Sequence, residues 1–265
     1  MTEFRRLVLA IGDGGGNRAT MRQAAALARM LGAELHALFV EDETLLHASG
    51  FPFAREISPL SLQWRPLEPD RLEADLRAAA DQSRRYLMEA ARATGVRQKF
   101  EVRRGDLAVH ITQICAAGDV VVVSPARRMG NGSSHALARL HATAGLSAAS
   151  VLLLPPFIGR AHGPIVAVAA RADDPGLAAA RRIAAHAHEH LLVLAPPNSE
   201  IPDATEIRYL AGNTAHDVLA ALGDTRERLI VLTRVAGASP EGDEGDPGSA
   251  LAAARGVPVL VVGPD

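Results

Sequence analysis

Short apolar runs that alternate with helical stretches constrain the fold of this chain more than any other feature of its sequence. The first run, Leu7–Ile11, leads into a glycine-rich turn, after which apolar residues recur at helical spacing until Gly32. A second run, Leu35–Val40, follows at once. Because both runs are continuously apolar, they predict strands buried on two faces, as in a parallel sheet covered by helices.

The same order of elements occurs twice along the 265 residues. The other predicted strands are Phe100–Arg103, Val120–Ser124, Val151–Leu154, Ile165–Ala170, Leu191–Leu194, Glu206–Leu210, Leu229–Thr233 and Val257–Val262. A joint rich in proline and glycine, 155–164, separates the two copies. The sequence therefore predicts an α/β protein of two tandem five-stranded parallel-sheet domains, with boundaries at 1–157 and 164–265.

The two predicted halves differ between their second and third strands. The first half carries an insertion, 43–69, followed by a long helix, whereas only residues 196–205 occupy the same place in the second half. The second half is therefore predicted to lack one covering helix. The insertion holds Phe51, Phe53 and Trp64, a third of the nine aromatic residues. A segment of this length and composition is typical either of an interface with a partner or homodimer, or of a cover over its own domain.

Three helix starts can be assigned from local sequence. Asn17 is expected to cap the first helix, and Asp174 followed by Pro175 is expected to start the first helix of the second half. Asp70, with Glu73 three residues later, predicts a capping box at the start of the long helix.

Composition excludes several classes of function. A formal net charge of −2 gives no overall attraction to nucleic acid, so no nucleic-acid partner is expected. Cys115 is the only cysteine, which rules out an intrachain disulfide and favours a reducing, cytoplasmic setting. No apolar run reaches the roughly 18 residues of a membrane span, so no membrane insertion is expected.

The element order, together with the strand signatures Leu7–Asp13 and Val120–Ser124, resembles the universal stress protein family over nearly the whole chain. The resemblance implies two Rossmann-like domains whose last strands, Val151–Leu154 and Val259–Val262, pair across a pseudo-twofold axis. It also implies a regulatory role in stress adaptation, and an adenine nucleotide such as ATP as a possible ligand. The spaced glycines of nucleotide-binding members are absent, however, because Ser124, Arg127, Leu137 and Ala138 stand at the corresponding positions.

Candidate ligand contacts cluster after the strands of the first half. Asp13 follows the first strand, where a carboxylate can hold a ribose hydroxyl, and Val40 ends the second strand. The segment after the fourth strand combines guanidinium groups, glycines and hydroxyls, which together favour phosphate: Arg127, Arg128, Gly130, Gly132, Ser133 and Ser134. A plain turn and a surface loop remain the alternatives. The equivalent segment of the second half is acidic, with Glu241, Asp243, Glu244 and Asp246.

Other reactive residues predict no catalytic or metal site. His186 and His190 have a spacing that could share a metal, but no third ligand is evident. Asp106, His110 and Ser124 lack the sequence of a nucleophile elbow. Cys115 is expected on an apolar helix face as a packing residue. Three hypotheses remain open: a regulatory binding protein, a nucleotide-hydrolysing enzyme, and a scaffold subunit with decayed nucleotide sites.

Overall fold

A computed structural model describes residues 3–12, 15–57, 62–123, 148–155, 160–197, 199–201, 206–234 and 247–263. The strands are β1 (Arg6–Ile11), β2 (Glu34–Glu41), β3 (Arg55–Ile57), β4 (Trp64–Pro66), β5 (Gln98–Arg104), β6 (Asp119–Val123), β7 (Ser150–Leu153), β8 (Ile165–Val168), β9 (Leu191–Ala195), β10 (Glu206–Tyr209), β11 (Leu229–Thr233) and β12 (Val259–Val262). The described helices are α1 (Arg18–Leu31), α2 (Glu43–Ser49), α3 (Pro69–Thr94), α4 (Leu107–Ile114), α5 (Pro175–Ala187), α6 (Ala215–Leu222) and α7 (Pro247–Arg255).

Ten of the strands form one sheet in the order β10-β9-β8-β11-β12-β7-β6-β1-β2-β5. Each half contributes five strands in the same relative order, and all pairs within a half are parallel. The two halves join through β7 and β12, which are antiparallel. The α/β fold with parallel strands, and the meeting of the two last strands, are confirmed. The exact domain boundaries remain a prediction.

Two apolar cores lie on opposite faces of this sheet. The first combines the sheet with α1, α3 and α5, through residues such as Met21, Leu87 and Leu177. The second combines it with α4, α6 and α7, through residues such as Ile111 and Leu222. Both faces are therefore covered, which explains why the inner strands carry continuous apolar runs, whereas β5 and β10 at the two ends of the sheet do not.

Helix ends follow the local sequence in two of the three cases. Asn17 caps α1 by accepting a hydrogen bond from the Thr20 amide at 2.9 Å, and Asp174 caps α5. The capping box at Asp70 is wrong, because α3 begins at Pro69 and no side chain caps it. The residue at the cap position is Glu68, whose side chain forms no capping hydrogen bond, unlike that of Asp174 before Pro175.

Among the described helices, α1 and α3 cover the first half in the first core and α5 covers the second half. That the second half lacks one covering helix remains a prediction. Residues 196–197 and 199–201, the described part of the β9–β10 connection, are not helical, although Ile201 is buried in that core. At the centre of the molecule α1 packs against α5, so the two halves share helix contacts as well as the strand pair.

Candidate functional site

The predicted ligand site lies largely outside the described residues. Asp13, Arg127, Arg128, Gly130, Gly132, Ser133 and Ser134 all belong to segments that the structure does not describe. Val40 is described: it is a β2 residue whose side chain is buried in the second core. A ligand at the carboxyl ends of the strands could therefore contact Val40 only through its backbone.

The turn that leads from β1 into α1 is held by internal hydrogen bonds. The Gly15 amide donates to the Gly12 carbonyl at 2.9 Å, and the Gly16 amide donates to Ser83 Oγ of α3 at 2.9 Å. Apart from its chain neighbours, no described residue has an atom within 4 Å of the place where a side chain at Gly12 would begin. The start of α1 is thus fixed against α3.

Charged groups at the ends of β2 and β5 are already paired with one another. Arg104 lies 3.1 Å from Glu41 and 3.9 Å from Glu73 of α3. The Gly105 amide also donates to the Glu41 carbonyl at 2.9 Å. These contacts fix one side of the first-half edge, and the segment after β6 lies outside the described residues.

The corresponding edge of the second half is closed by its own side chains. Asp174 Oδ1 accepts the Gly176 amide at 2.8 Å and the Leu177 amide at 3.2 Å. Thr233, at the end of β11, donates its hydroxyl to the same carboxylate and accepts the Gly176 amide at 2.9 Å. Amide groups that would otherwise meet an anion at the start of α5 are therefore satisfied internally.

A further ion pair stands at this second edge. Arg171 contacts Asp173 through two hydrogen bonds of 2.9 and 2.5 Å, and both side chains are largely exposed. The pair raises the pKa of Arg171 and lowers that of Asp173, mainly through these hydrogen bonds. In the sequence repeat Arg171 occupies the position of Asp13, so the two edges differ in charge at the same place.

Of the hypothetical catalytic residues, Asp106 and His110 are described, whereas Ser124 lies outside the described residues. Asp106 caps α4 by accepting the Val109 amide at 3.1 Å, and His110 Nε2 lies 3.0 Å from the Arg104 carbonyl. No cluster of three metal-ligating side chains occurs in the described ranges. Cys115 is the capping residue after α4 rather than part of the helix, and burial raises the pKa of its thiol to about 12. The protonated thiol, rather than the nucleophilic thiolate, is therefore favoured at neutral pH.

The aromatic residues of the insertion are on the surface. Phe51, Phe53 and Trp64 are 54 %, 77 % and 63 % exposed, and the two phenylalanine rings stack with centroids 5.4 Å apart. Trp64 pairs with Ile57 across the β3–β4 hairpin, and Ile57 is also exposed. Helix α2 of the insertion packs on α3, but these side chains contribute no cover to the core.

Comparison with solved structures places the chain among proteins of one fold. A universal stress protein from Archaeoglobus fulgidus DSM 4304 superposes with a TM-score of 0.63 at 13 % identity, over 96 % of this chain and 95 % of its own. A protein of unknown function from Pseudomonas aeruginosa PAO1 gives 0.57 at 13 %, over 99 % and 93 %. A protein from Pseudomonas aeruginosa UCBPP-PA14, provisionally described as a universal stress protein, gives 0.56 at 14 %, over 98 % and 93 %.

The chain has the fold of the universal stress proteins. No protein-family model and no curated protein matches its sequence. None of the described helices is both long enough and apolar enough to cross a bilayer.

Sequence analysis did not single out Thr233, which closes the second edge of this fold. The repeat carried a signal for it, because Thr233 and Ser124 occupy equivalent positions after four apolar strand residues. The Thr233 hydroxyl lies beside the start of α5, where it accepts the Gly176 amide. Ser124 lies outside the described residues.

Proposed function

We propose that this chain is a regulatory, stress-response protein of the universal stress protein type that acts by binding. The observation that carries the proposal is the fold, which superposes on a universal stress protein over nearly the full length of both chains. The internal use of Asp106 and His110, described above, is consistent with a binding role. Turnover of ATP by the purified protein would instead favour the alternative of a nucleotide-hydrolysing enzyme.

Within this function, we assign any nucleotide or anion to the first half of the sheet. Asp174 and Thr233 occupy the start of α5 in the second half, and its loop carries Glu241 and Asp246, which repel phosphate. The first half instead offers Asp13 for a ribose, and Arg127 and its neighbours for phosphates. The expected ligand is an adenine nucleotide held by charge-assisted hydrogen bonds.

Calorimetric titration of ATP into the full chain tests this assignment. Arg127→Ala combined with Arg128→Ala should weaken ATP binding by at least about tenfold, since each bond from a guanidinium to phosphate contributes about 1.5–3 kcal/mol. Asp13→Ala should weaken it as well. Arg171→Ala with Arg226→Ala removes the same charge from the second half and should leave the affinity unchanged.

Two results would overturn the nucleotide assignment. Unchanged affinity in the Arg127 and Arg128 variant would move the site elsewhere. Absence of heat at millimolar ATP, with no nucleotide released from freshly purified protein in mass spectrometry, would favour the scaffold alternative.

One observation supports the scaffold alternative independently: the exposed aromatic side chains of Phe51, Phe53 and Trp64 are suited to contact with a protein partner.

A further inference from the structure

A cavity of about 830 Å³ opens at the amino ends of the first-half strands. This is the edge of the sheet opposite to the proposed nucleotide site. Its lining includes Gly32 and Gly95, at the carboxyl ends of α1 and α3, and His186 near the carboxyl end of α5. Both halves of the sheet thus contribute to one concave surface.

Four arginines from different elements line this cavity, and only one of them has an acidic partner. Arg6 is held by Asp119 through bonds of 2.9 and 2.5 Å. Arg5 donates to the Ala117 carbonyl at 3.0 Å. The side chains of Arg29 and Arg97, both exposed, form no hydrogen bond or ion pair with any residue in the described ranges. Three guanidinium groups are therefore available to a ligand.

The balance of charge in the cavity favours an anion. Glu3 and Glu34 also line it, and neither forms an ion pair within the described part of the chain. Arg6 and Asp119 neutralise each other. The remaining positive charges are those of Arg5, Arg29 and Arg97, and they outnumber the two carboxylates by one. The whole chain carries −2, so this local excess of positive charge does not follow from composition.

Apolar side chains form part of the remaining lining, together with Thr94 and His186. Phe4 is almost fully buried, and the Arg182 guanidinium lies 5.9 Å from its ring centroid. Ala28, Ala33 and Val96 line the cavity beside it. Carbonyl groups at the ends of α1 and α3 repel an anion, so the attraction must come from the arginine side chains.

We propose that this cavity is a second ligand site, which takes a small organic anion with an apolar body and one phosphate or carboxylate group. Guanidinium groups bind both of these oxyanions through paired hydrogen bonds. Arg29 and Arg97 would hold the anionic group, while the apolar body would cover Phe4 and Val96. This site is independent of the nucleotide site, since the two lie at opposite edges of the sheet.

Calorimetric titration with phenyl phosphate and with benzoate tests the proposal on the full chain. Saturable binding of at least one of them is expected, and it should be several-fold tighter than that of inorganic phosphate because the ring leaves water. Arg29→Gln combined with Arg97→Gln should weaken it by at least about tenfold. The two side chains are exposed and unpaired, so the melting temperature of this variant should stay that of the wild type.

Matched controls separate this site from general charge effects and from the nucleotide site. Arg71→Gln with Arg85→Gln removes the same charge from exposed positions of α3 outside the cavity and should leave binding intact. Arg127→Ala with Arg128→Ala should also leave it intact, even if that variant loses ATP. If neither probe binds saturably at concentrations up to about 10 mM, the proposal is overturned. Equal binding by wild type and the Arg29 and Arg97 variant would overturn it too.

Discussion

Leu152 of β7 and Leu260 of β12 face each other in antiparallel register at the centre of the ten-stranded sheet, and neither is exposed to solvent. This pair joins two sets of strands that are otherwise parallel throughout. Each last strand would be an open sheet edge if its half stood alone, and an apolar edge of that kind invites aggregation. The two halves therefore depend on each other for stability.

The second half, expressed alone as 165–265, should not fold into a stable monomer. It would lose the pairing of β12 with β7 and the packing of α5 against α1, and each Å² of apolar surface left in water costs roughly 25 cal/mol. Thermal melting followed by circular dichroism should show no cooperative transition at concentrations where sedimentation reports a monomer. A monomeric fragment with a sharp melt would contradict this dependence.

Asp119 should be among the most sensitive polar residues of the first half. Its buried carboxylate accepts two hydrogen bonds from Arg6 and a third, of 2.9 Å, from the Ala116 amide. These bonds raise the pKa of Arg6. Asp119→Ala should lower the free energy of unfolding by about 1–3 kcal/mol in urea denaturation, because it leaves the Ala116 amide and the arginine without their acceptor.

Asp173→Ala is the matched control for that change. It breaks an ion pair of similar geometry with Arg171, but both side chains are solvated. No measurable change in the free energy of unfolding is expected. Equal effects from the two variants would show that burial of Asp119 does not determine its contribution.

The inner strands of this fold could be predicted from sequence because each is a short, continuously apolar run. Leu7–Ile11 and Leu229–Thr233, for example, match β1 and β11 within one residue. The hairpin of β3 and β4 was not predicted, since three-residue strands with exposed side chains carry no apolar pattern. The start of α3 was also misplaced, because Pro69 determines it rather than Asp70.

Long-range contacts at the candidate sites were less predictable. Nothing local in the sequence indicates that Thr233 bonds Asp174, 59 residues away, or that Arg29 and Arg97 line one cavity. Such contacts arise from the crossover topology, which brings the ends of distant helices and strands to the same sheet edge. Among the sequence signals, alignment of the two halves gives the most information on these contacts, because it shows that Thr233 and Ser124 occupy equivalent positions.

His36 should make stability depend on pH. It is buried in β2, where desolvation lowers its pKa even though Nε2 lies 2.8 Å from Glu101. As the pH falls through about 6.5, the unfolded chain binds a proton at this position before the native state does, so stability falls. The contribution is fully present above that pH. Urea denaturation between pH 7.5 and 5.5 measures the slope.

His36→Leu should reduce this pH dependence, because it removes the group whose proton affinity differs between the folded and unfolded states. His47→Leu is the matched control, since His47 is exposed on α2, and that variant should keep the slope of the wild type. If His36→Leu also keeps the wild-type slope, His36 is not the residue responsible.

The aromatic surface of the insertion should contribute to association rather than to stability. Phe53 and Trp64 are among the most exposed large apolar side chains of the described chain, so Phe53→Ser with Trp64→Ser should change the melting temperature little. Leu87→Ser, on the buried face of the neighbouring α3, should instead lower it strongly because it leaves a polar group and a cavity in the core.

Sedimentation velocity over a range of concentrations then distinguishes self-association through this surface from binding of a different protein. If two copies of the chain meet there, the wild type should dimerise with increasing concentration and the Phe53 and Trp64 variant should remain a monomer, since aromatic side chains supply most of the binding energy at such interfaces. If the wild type is monomeric, a different protein partner is the remaining use, and chemical cross-linking from residue 53 should capture it. Identical dimerisation of both proteins would place the interface elsewhere and would leave the exposed aromatic residues without a role in self-association.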